Sequence, residues 1–391
     1  FKNLEQDMFK SRAVDVIDVS ERVLKYLLKQ SKQTEIGISN DAIIIAYDLT
    51  PSDLSSMMNQ HIKGLITTSG SKMSHVAILA RSMGIPMIYD VPHLLHHLED
   101  GDLVIMDGKS GSVITHPKED EMTQYKKKID ILNKEKLSLN AFLSKPTVTS
   151  EGHPLSIHAN IGNQEDLEDA INQSAEGIGL YRTEYLYMNA ANLPTEEEQY
   201  QTYKSMVIAM HQKPIIIRTL DIGGDKILSY LPQQTENNPY MGSRAIRLSL
   251  SNQSLFKVQL RALLRATVHG DIQVMFPMIT TIEELREAKT LLQTCKHELE
   301  KEGVAIGSYK VGVMIEVPAA ALIADALAKE VDFMSIGTND LIQYTFAADR
   351  MNAAVAYLHQ PLHPGHLKLI QMVVDAGIKY NKEVSICGEM A

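Results

Sequence analysis

The sequence holds only two cysteines in 391 residues, Cys295 and Cys387, and they stand far apart. That is too few for a disulfide framework and suits a reducing compartment. Long apolar runs are missing too: the longest, residues 317–328, is interrupted by Asp325. A membrane-spanning helix needs about 20 apolar residues, so none is expected, and no stretch resembles a signal peptide. Positive charge is in deficit. With 38 Lys and Arg against 48 Asp and Glu, the formal net charge is -10. No global field therefore draws in nucleic acid or an anionic membrane, and an anionic small molecule would need a local basic cluster. These absences leave a soluble cytoplasmic protein as the expectation. A start at Phe1 rather than methionine fits a piece of a longer polypeptide.

What is present is enough apolar material, 44% of residues, for two cores, and length enough for two or three domains. Residues 1–30 carry Leu4, Met8, Ala13, Ile17, Leu24, Leu27 and Leu28 among many charges, as one amphipathic helix without a core of its own. From Asp41 the character changes to short strand-like runs at 42–47, 64–67, 85–89 and 103–106, with helical segments near 51–60 and 74–82. A tight turn, Asp107-Gly108-Lys109-Ser110-Gly111, leads to a last strand at 112–115. The pattern is a compact α/β domain. Residues 118–146 are dense in Lys and Glu, with Met122, Tyr125, Ile129 and Leu132 spaced by three and four. That is a charged helix with a narrow apolar stripe, which either links domains and permits swinging or packs permanently on its neighbour.

Within the α/β domain the stretch Gly70-Ser71-Lys72-Met73-Ser74-His75 reads as a glycine turn between a strand and a helix. Ser74 is placed as the N-cap and His75 in the first turn, where unpaired N–H groups and the helix dipole favour negative charge. A neutral imidazole is a competent nucleophile near pH 7, so a phosphoryl group transferred to His75 would arrive at an anion site. The plainer alternative is that His75 only helps the cap. The other thirteen histidines, His359 and His363 among them, read as surface or packing residues.

After Pro154 strand-like runs alternate with longer helical stretches, the pattern of a parallel sheet built from βα units. Seven strands are predicted, at 155–161, 177–181, 214–219, 273–278, 310–316, 333–337 and 384–387. Long helices are expected at 195–210, 255–268 and 282–303. Eight such units close into a (β/α)8 barrel, whose active site lies at the C-terminal ends of its strands. Seven strands alone leave an open edge, so an eighth unit is expected beyond Ala391.

Candidate chemical residues fall at those strand ends. Arg182 follows the second strand, Arg218 ends the third, Arg244 lies beyond it and Arg350 follows the sixth. Guanidinium groups bind phosphate and carboxylate through paired donors, and several at one mouth would repel one another without an anion. The glycines of Asp221-Ile222-Gly223-Gly224-Asp225-Lys226 let backbone N–H groups converge on an anion, and Lys226 adds a point charge. Glu316 ends the fifth strand and Asp340 follows the sixth, a pair that suits Mg²⁺ or, alternatively, pairs with the arginines. Asn339 could donate a hydrogen bond to the same ligand. Cys387 ends the seventh strand, where its thiol is either a proton donor to carbon or a buried structural group.

Together these strings resemble Enzyme I of the bacterial phosphoenolpyruvate:sugar phosphotransferase system, a family of phosphoenolpyruvate-protein phosphotransferases. The resemblance runs along the whole chain and is densest in Gly-Leu-Tyr-Arg-Thr-Glu-Tyr-Leu, Arg-Thr-Leu-Asp-Ile-Gly-Gly-Asp-Lys, Met-Phe-Pro-Met-Ile, Ser-Ile-Gly-Thr-Asn-Asp-Leu-Ile-Gln-Tyr-Thr and Cys-Gly-Glu-Met-Ala. It implies that His75 takes the phosphoryl group of phosphoenolpyruvate (PEP) and passes it to the phosphocarrier protein HPr, releasing pyruvate as the first step of sugar uptake. Arg182, Arg218, Lys226, Arg244, Asn339 and Arg350 match PEP-binding positions, Glu316 and Asp340 the Mg²⁺ ligands, and Cys387 the residue that protonates enolpyruvate. The His75 loop departs from the family's usual Gly-Gly-Arg-Thr-Ser-His.

The implied fold is α/β throughout: a swivelling phosphohistidine domain joined by a helical linker to a (β/α)8 barrel that dimerises. The expected divisions are residues 1–35, the end of an HPr-binding helical part; 36–117, the phosphohistidine domain; 118–148, the linker; and 149–391, the barrel without its last unit. Two rival readings share parts of this pattern. Pyruvate phosphate dikinase and PEP synthase pair a similar histidine domain with a similar barrel, but they need an ATP-binding domain that nothing before His75 resembles. A regulatory or paralogous PEP-binding protein is the other.

Overall fold

In the computed structural model the described residues are 42–49, 53, 62–69, 76–77, 80, 84–143, 145–188, 190, 192–224, 228, 230, 236–349, 352–388 and 390. The chain divides into two compact units, residues 1–140 and 141–391. The helix expected in residues 1–30 and most of those expected near 51–60 and 74–82 lie outside the described residues.

In the first unit β1 (Ala42–Ala46), β2 (Ile62–Thr67) and β3 (Met87–Ile88) form a parallel sheet in that order. Leu49, Leu65, Val76 and Ala80 make its small core, with Ile44 and Met87 packed against it. β4 (Val104–Asp107) and β5 (Ser112–Thr115) form an antiparallel hairpin around the turn with Gly111 at φ +69°. Asp107 ties that turn by accepting from the Lys109 and Ser110 N–H groups. α1 (Glu119–Asn140) opens with Glu119, Asp120 and Glu121, which complement the positive end of its dipole. It joins the hairpin through Lys128 and Asp107, 2.5 Å apart. Its apolar stripe is half covered: Met122 and Tyr125 are partly buried, while Ile129 and Leu132 are exposed.

The second unit is built on a seven-stranded, all-parallel sheet of β6 (Ala159–Ile161), β7 (Ile178–Arg182), β8 (Ile215–Arg218), β9 (Ile272–Phe276), β10 (Tyr309–Ile315), β11 (Phe333–Gly337) and β12 (Glu383–Cys387), neighbours in sequence order. It curls enough for β12 to approach β7. Side chains alternate between two buried faces. Ile215, Ile217, Val274, Phe276, Val313, Ile315, Met334 and Ile336 join the large core under the helices. Leu180, Ile216, Met275, Met314, Phe333 and Cys387 form a second cluster on the other face. Burial on both faces is why these strands read as unbroken apolar runs rather than alternating ones.

Between the strands run α2 (Gln164–Asn172), α3 (Glu184–Met188), α4 (Glu196–Ala209), α5 (Ile246–Ser251), α6 (Gln253–Ala266), α7 (Ile282–Lys301), α8 (Pro318–Leu322), α9 (Ala324–Ala328), α10 (Thr338–Phe346) and α11 (Pro364–Tyr380). α4 and α7 start with complete capping boxes, Thr195 with Glu198 and Thr281 with Glu284, each contributing about 1 kcal/mol. α7 buries Leu285, Ala288, Leu292, Cys295 and Leu299 along one stripe. Among the described residues no helix is long and apolar enough to cross a membrane.

The strand expected at 155–161 is shorter than its apolar content implied. Only Ala159–Ile161 joins the sheet. Upstream, Thr149 to Gly152 turn back, with Gly152 at φ +84°, and the Leu155 N–H donates to the Thr147 carbonyl. Leu155 and Ile157 are accordingly exposed.

Candidate active site

A cavity of about 420 Å³ opens at the C-terminal ends of the second unit's strands. Seven of the ten residues singled out in the sequence line it: Arg182, Arg218, Arg244, Glu316, Asn339, Asp340 and Cys387. His75, Lys226 and Arg350 lie outside the described residues.

The parallel register explains the convergence. Arg182 and Arg218 are paired end residues of β7 and β8, and Cys387 ends β12 opposite Gly337 of β11. Glu316 immediately follows β10, and Asn339 and Asp340 stand in the first turn of α10. Arg244 comes from the loop before α5, and Gly223 explains how it gets close. That residue has φ +116°, and a Cβ there would fall 2.4 Å from the Arg244 Cβ, so only glycine lets the two segments touch.

The three guanidinium groups are held differently. Arg218 is buried, with Nη2 2.7 Å from Glu184 Oε1 and 3.0 Å from Asp221 Oδ2. Arg244 is buried, with Nη2 3.0 Å from Asp221 Oδ1 and Nη1 3.3 Å from Asp340 Oδ1. Its Nη1 also donates to the Tyr344 hydroxyl at 3.1 Å, and that hydroxyl donates to the Tyr240 carbonyl. Asp221 thus bridges both arginines. Burial alone would lower their pKa values, but the facing carboxylates outweigh it and hold both firmly charged. Arg182 differs: among the described residues it has no ion pair, its buried Nε has no partner, and its guanidinium lies 4.7 Å from the Tyr185 ring centroid. Among the described residues it is the guanidinium of this cavity that no carboxylate fixes.

Among the described residues the cavity gathers Glu184, Asp221, Glu316 and Asp340 around Arg182, Arg218 and Arg244. Glu316 shows the consequence. Burial, then repulsion from Asp340 and Asp221, pushes its pKa up to about 8, although it accepts the Met278 N–H at 2.6 Å. A divalent cation would relieve that repulsion. Among the described residues no three His, Cys, Asp or Glu side chains gather into a full metal nest. Two carboxylates fit Mg²⁺, which completes its octahedron with substrate and water oxygens. The alternative pairing expected from the sequence is present in part, because Asp340 contacts Arg244.

Cys387 is buried, and burial raises its thiol pKa. Its Sγ accepts from Ser335 Oγ at 3.4 Å and donates to the Ile336 carbonyl at 3.5 Å. The proton therefore stays on sulfur near neutral pH, as a donor requires.

Sequence reasoning gave no role to Glu184, Asp221, Tyr185 or Tyr344. One signal could have found the first two: each stands two or three residues beyond an arginine that ends a strand.

Residues 136–391 match the family described as PEP-utilising enzyme, PEP-binding domain, and residues 38–111 match PEP-utilising enzyme, mobile domain. Over all of its length the chain is 47% identical to a phosphoenolpyruvate-protein phosphotransferase of Priestia megaterium, covering 68% of that relative. The chain belongs to the phosphoenolpyruvate-protein phosphotransferase family. Proteins of that name from Geobacillus stearothermophilus and Listeria monocytogenes are 48% and 45% identical, again over the whole chain and 68% of the relative. The phosphotransferase assignment makes the chain a transferase, and the arginine-lined cavity lies within the stretch that matches the PEP-binding domain.

Proposed function

We propose that this chain transfers the phosphoryl group of PEP to its own His75 and then to the phosphocarrier protein HPr, releasing pyruvate at the start of sugar uptake. The observation that carries the reading is the uncompensated Arg182 beside two buried, carboxylate-fixed arginines at the strand ends of one cavity. Arg182 takes phosphate oxygens, and Arg218 and Arg244, held by Glu184, Asp221 and Asp340, present fixed positive charge to the transferring group. Asn339, Lys226 and Arg350 complete the set of PEP contacts. Glu316 and Asp340 would hold Mg²⁺. When bound, the ion supplies neutralisation of charge on the phosphate oxygens.

The P–O bond to the enol oxygen breaks while a P–N bond to the His75 ring forms, and the His75 ring proton leaves to solvent. The enolate left behind takes a proton at its methylene carbon from the Cys387 thiol, which solvent then reprotonates, or from a water that Cys387 orients, and becomes pyruvate. His75 belongs to the stretch that matches the mobile domain, and one histidine must meet two partners in turn. A swivelling phosphohistidine domain, a helical linker at residues 118–148 and a dimerising (β/α)8 barrel make up the proposed architecture, in the cytoplasm.

Incubation with radiolabelled PEP and Mg²⁺, beside a His75→Ala variant, tests it. The expected label is acid-labile, base-stable and lost in the variant. Wild-type protein that binds PEP yet takes no label and exchanges no label between PEP and pyruvate would be a regulatory PEP binder, not a transferase.

A further inference from the structure

Arg182 is the one guanidinium of the cavity that no described carboxylate fixes, yet an anion-binding fork works only if it is aimed before the anion arrives. Its position must come from elsewhere. The guanidinium carbon lies 4.7 Å from the centre of the Tyr185 ring, within cation–π range. Tyr185 is partly buried in the first turn of α3, between the 420 Å³ cavity and a second cavity of about 590 Å³ lined also by Tyr181, Leu186 and Met206. The ring therefore has open space on its far side and needs a backstop.

Gly162 is that backstop. A Cβ there would fall 2.7 Å from Tyr185 Cδ2 and 2.9 Å from Cε2, closer than a real Cβ sits. The ring thus rests directly on the bare backbone that follows β6. That backbone is pinned, because the Gly162 N–H donates to Asp166 Oδ2 at 2.7 Å, and Asp166 lies in the first turn of α2. The sequence Gly162, Tyr185 ring, Arg182 guanidinium is a continuous stack from one βα loop to the next.

We propose that Tyr185 is a positioning residue: seated on Gly162, its ring holds the Arg182 guanidinium at the cavity by stacking, in place of a carboxylate. A carboxylate would aim Arg182 equally well but would compete with the anion for the same donors; an aromatic face aims it and leaves those donors free. The proposal rests on the reading of Arg182 as a phosphate-binding residue.

Two readouts on the full chain separate the proposal from that reading. The first is the Arg182 Hε–Nε resonance by NMR without ligand, which an overlying aromatic ring shifts upfield. Wild type and Tyr185→Phe should both show the shift, and Tyr185→Leu should lose it. The second is PEP affinity with Mg²⁺ by calorimetry. Tyr185→Leu should weaken binding about tenfold, Tyr185→Phe no more than about twofold, and Gly162→Ala, which pushes the ring off its seat, about threefold. In an Arg182→Ala background Tyr185→Leu should change nothing further, the non-additivity of two residues acting as one unit. An unshifted Arg182 resonance in wild type, failure of the phenylalanine to preserve affinity, or an equal tenfold loss in the Arg182→Ala background would each overturn the positioning role. A ring-shifted resonance with PEP affinity unchanged in Arg182→Ala would leave the stack standing and remove the phosphate role instead.

Discussion

Two arginine–carboxylate networks in the second unit use the same residue types to opposite ends. On the outside, Arg261 and Arg265 of α6 reach Glu196 and Glu197 of α4 and Glu302 just past α7, at 2.6 to 2.8 Å. At the strand ends, Arg218 and Arg244 reach Glu184, Asp221 and Asp340 at 2.7 to 3.3 Å. Distances do not separate the two; water does. Glu302 and Glu197 are about half exposed, whereas Glu184 and Asp221 are buried. Arg261, Arg265 and Glu196 are themselves partly covered, but their half-exposed partners keep much of their solvation whether or not an arginine is present. In the cavity each charge depends on its partner, and Arg182 is the guanidinium there that no described carboxylate fixes.

The comparison breaks first at Arg218. Its replacement by alanine leaves Glu184 and Asp221 buried without that guanidinium, so we expect a loss of about 3–5 kcal/mol in chemical denaturation. A loss below about 1 kcal/mol would mean that the cavity is wetter than its burial implies. Arg182→Ala should do the reverse. With no ion pair to lose among the described residues it should leave the denaturation midpoint nearly unmoved, while kcat/KM for PEP-dependent phosphorylation falls about 10²- to 10³-fold. A matching fall in stability would show that Arg182 belongs with the structural arginines.

How much of this could be read beforehand follows from which interactions are local. The seven strands of the second unit were legible because apolar runs such as Ile215-Ile216-Ile217 are bounded by helical stretches with their own periodicity. Residues 155–158 were over-read, since apolar Leu155 and Ile157 look like a strand until the turn at Gly152 takes them out of the sheet. That Arg182, Arg218, Glu316 and Asp340 line one cavity was legible from their places at or just past strand ends, where a parallel sheet gathers its loops. Glu184 and Asp221 were harder to read, because Glu184 meets Arg218 from 34 residues away and Asp221 meets Arg244 from 23. Tyr185 was hidden for another reason. Its role depends on the absent side chain of Gly162, 23 residues upstream, and only tertiary packing brings the two together.

The smallest effect is expected on the outer network, and it is the most informative about water. Arg261 meets Glu196 and Glu302, and its geometry is as good as any in the cavity. If geometry set the energy, Arg261→Ala would cost as much as Arg218→Ala. Screening argues otherwise: exposed pairs contribute about 1 kcal/mol or less, and the Debye length falls from about 8 Å at 0.15 M salt to about 3 Å at 1 M. Arg261→Ala should therefore lower stability by no more than about 1 kcal/mol, leave phosphorylation by PEP unchanged, and lose most of even that difference in 1 M salt. The Arg218→Ala deficit should persist there, because ions do not enter a buried pair. Equal salt sensitivity in the two variants would collapse the distinction between the networks.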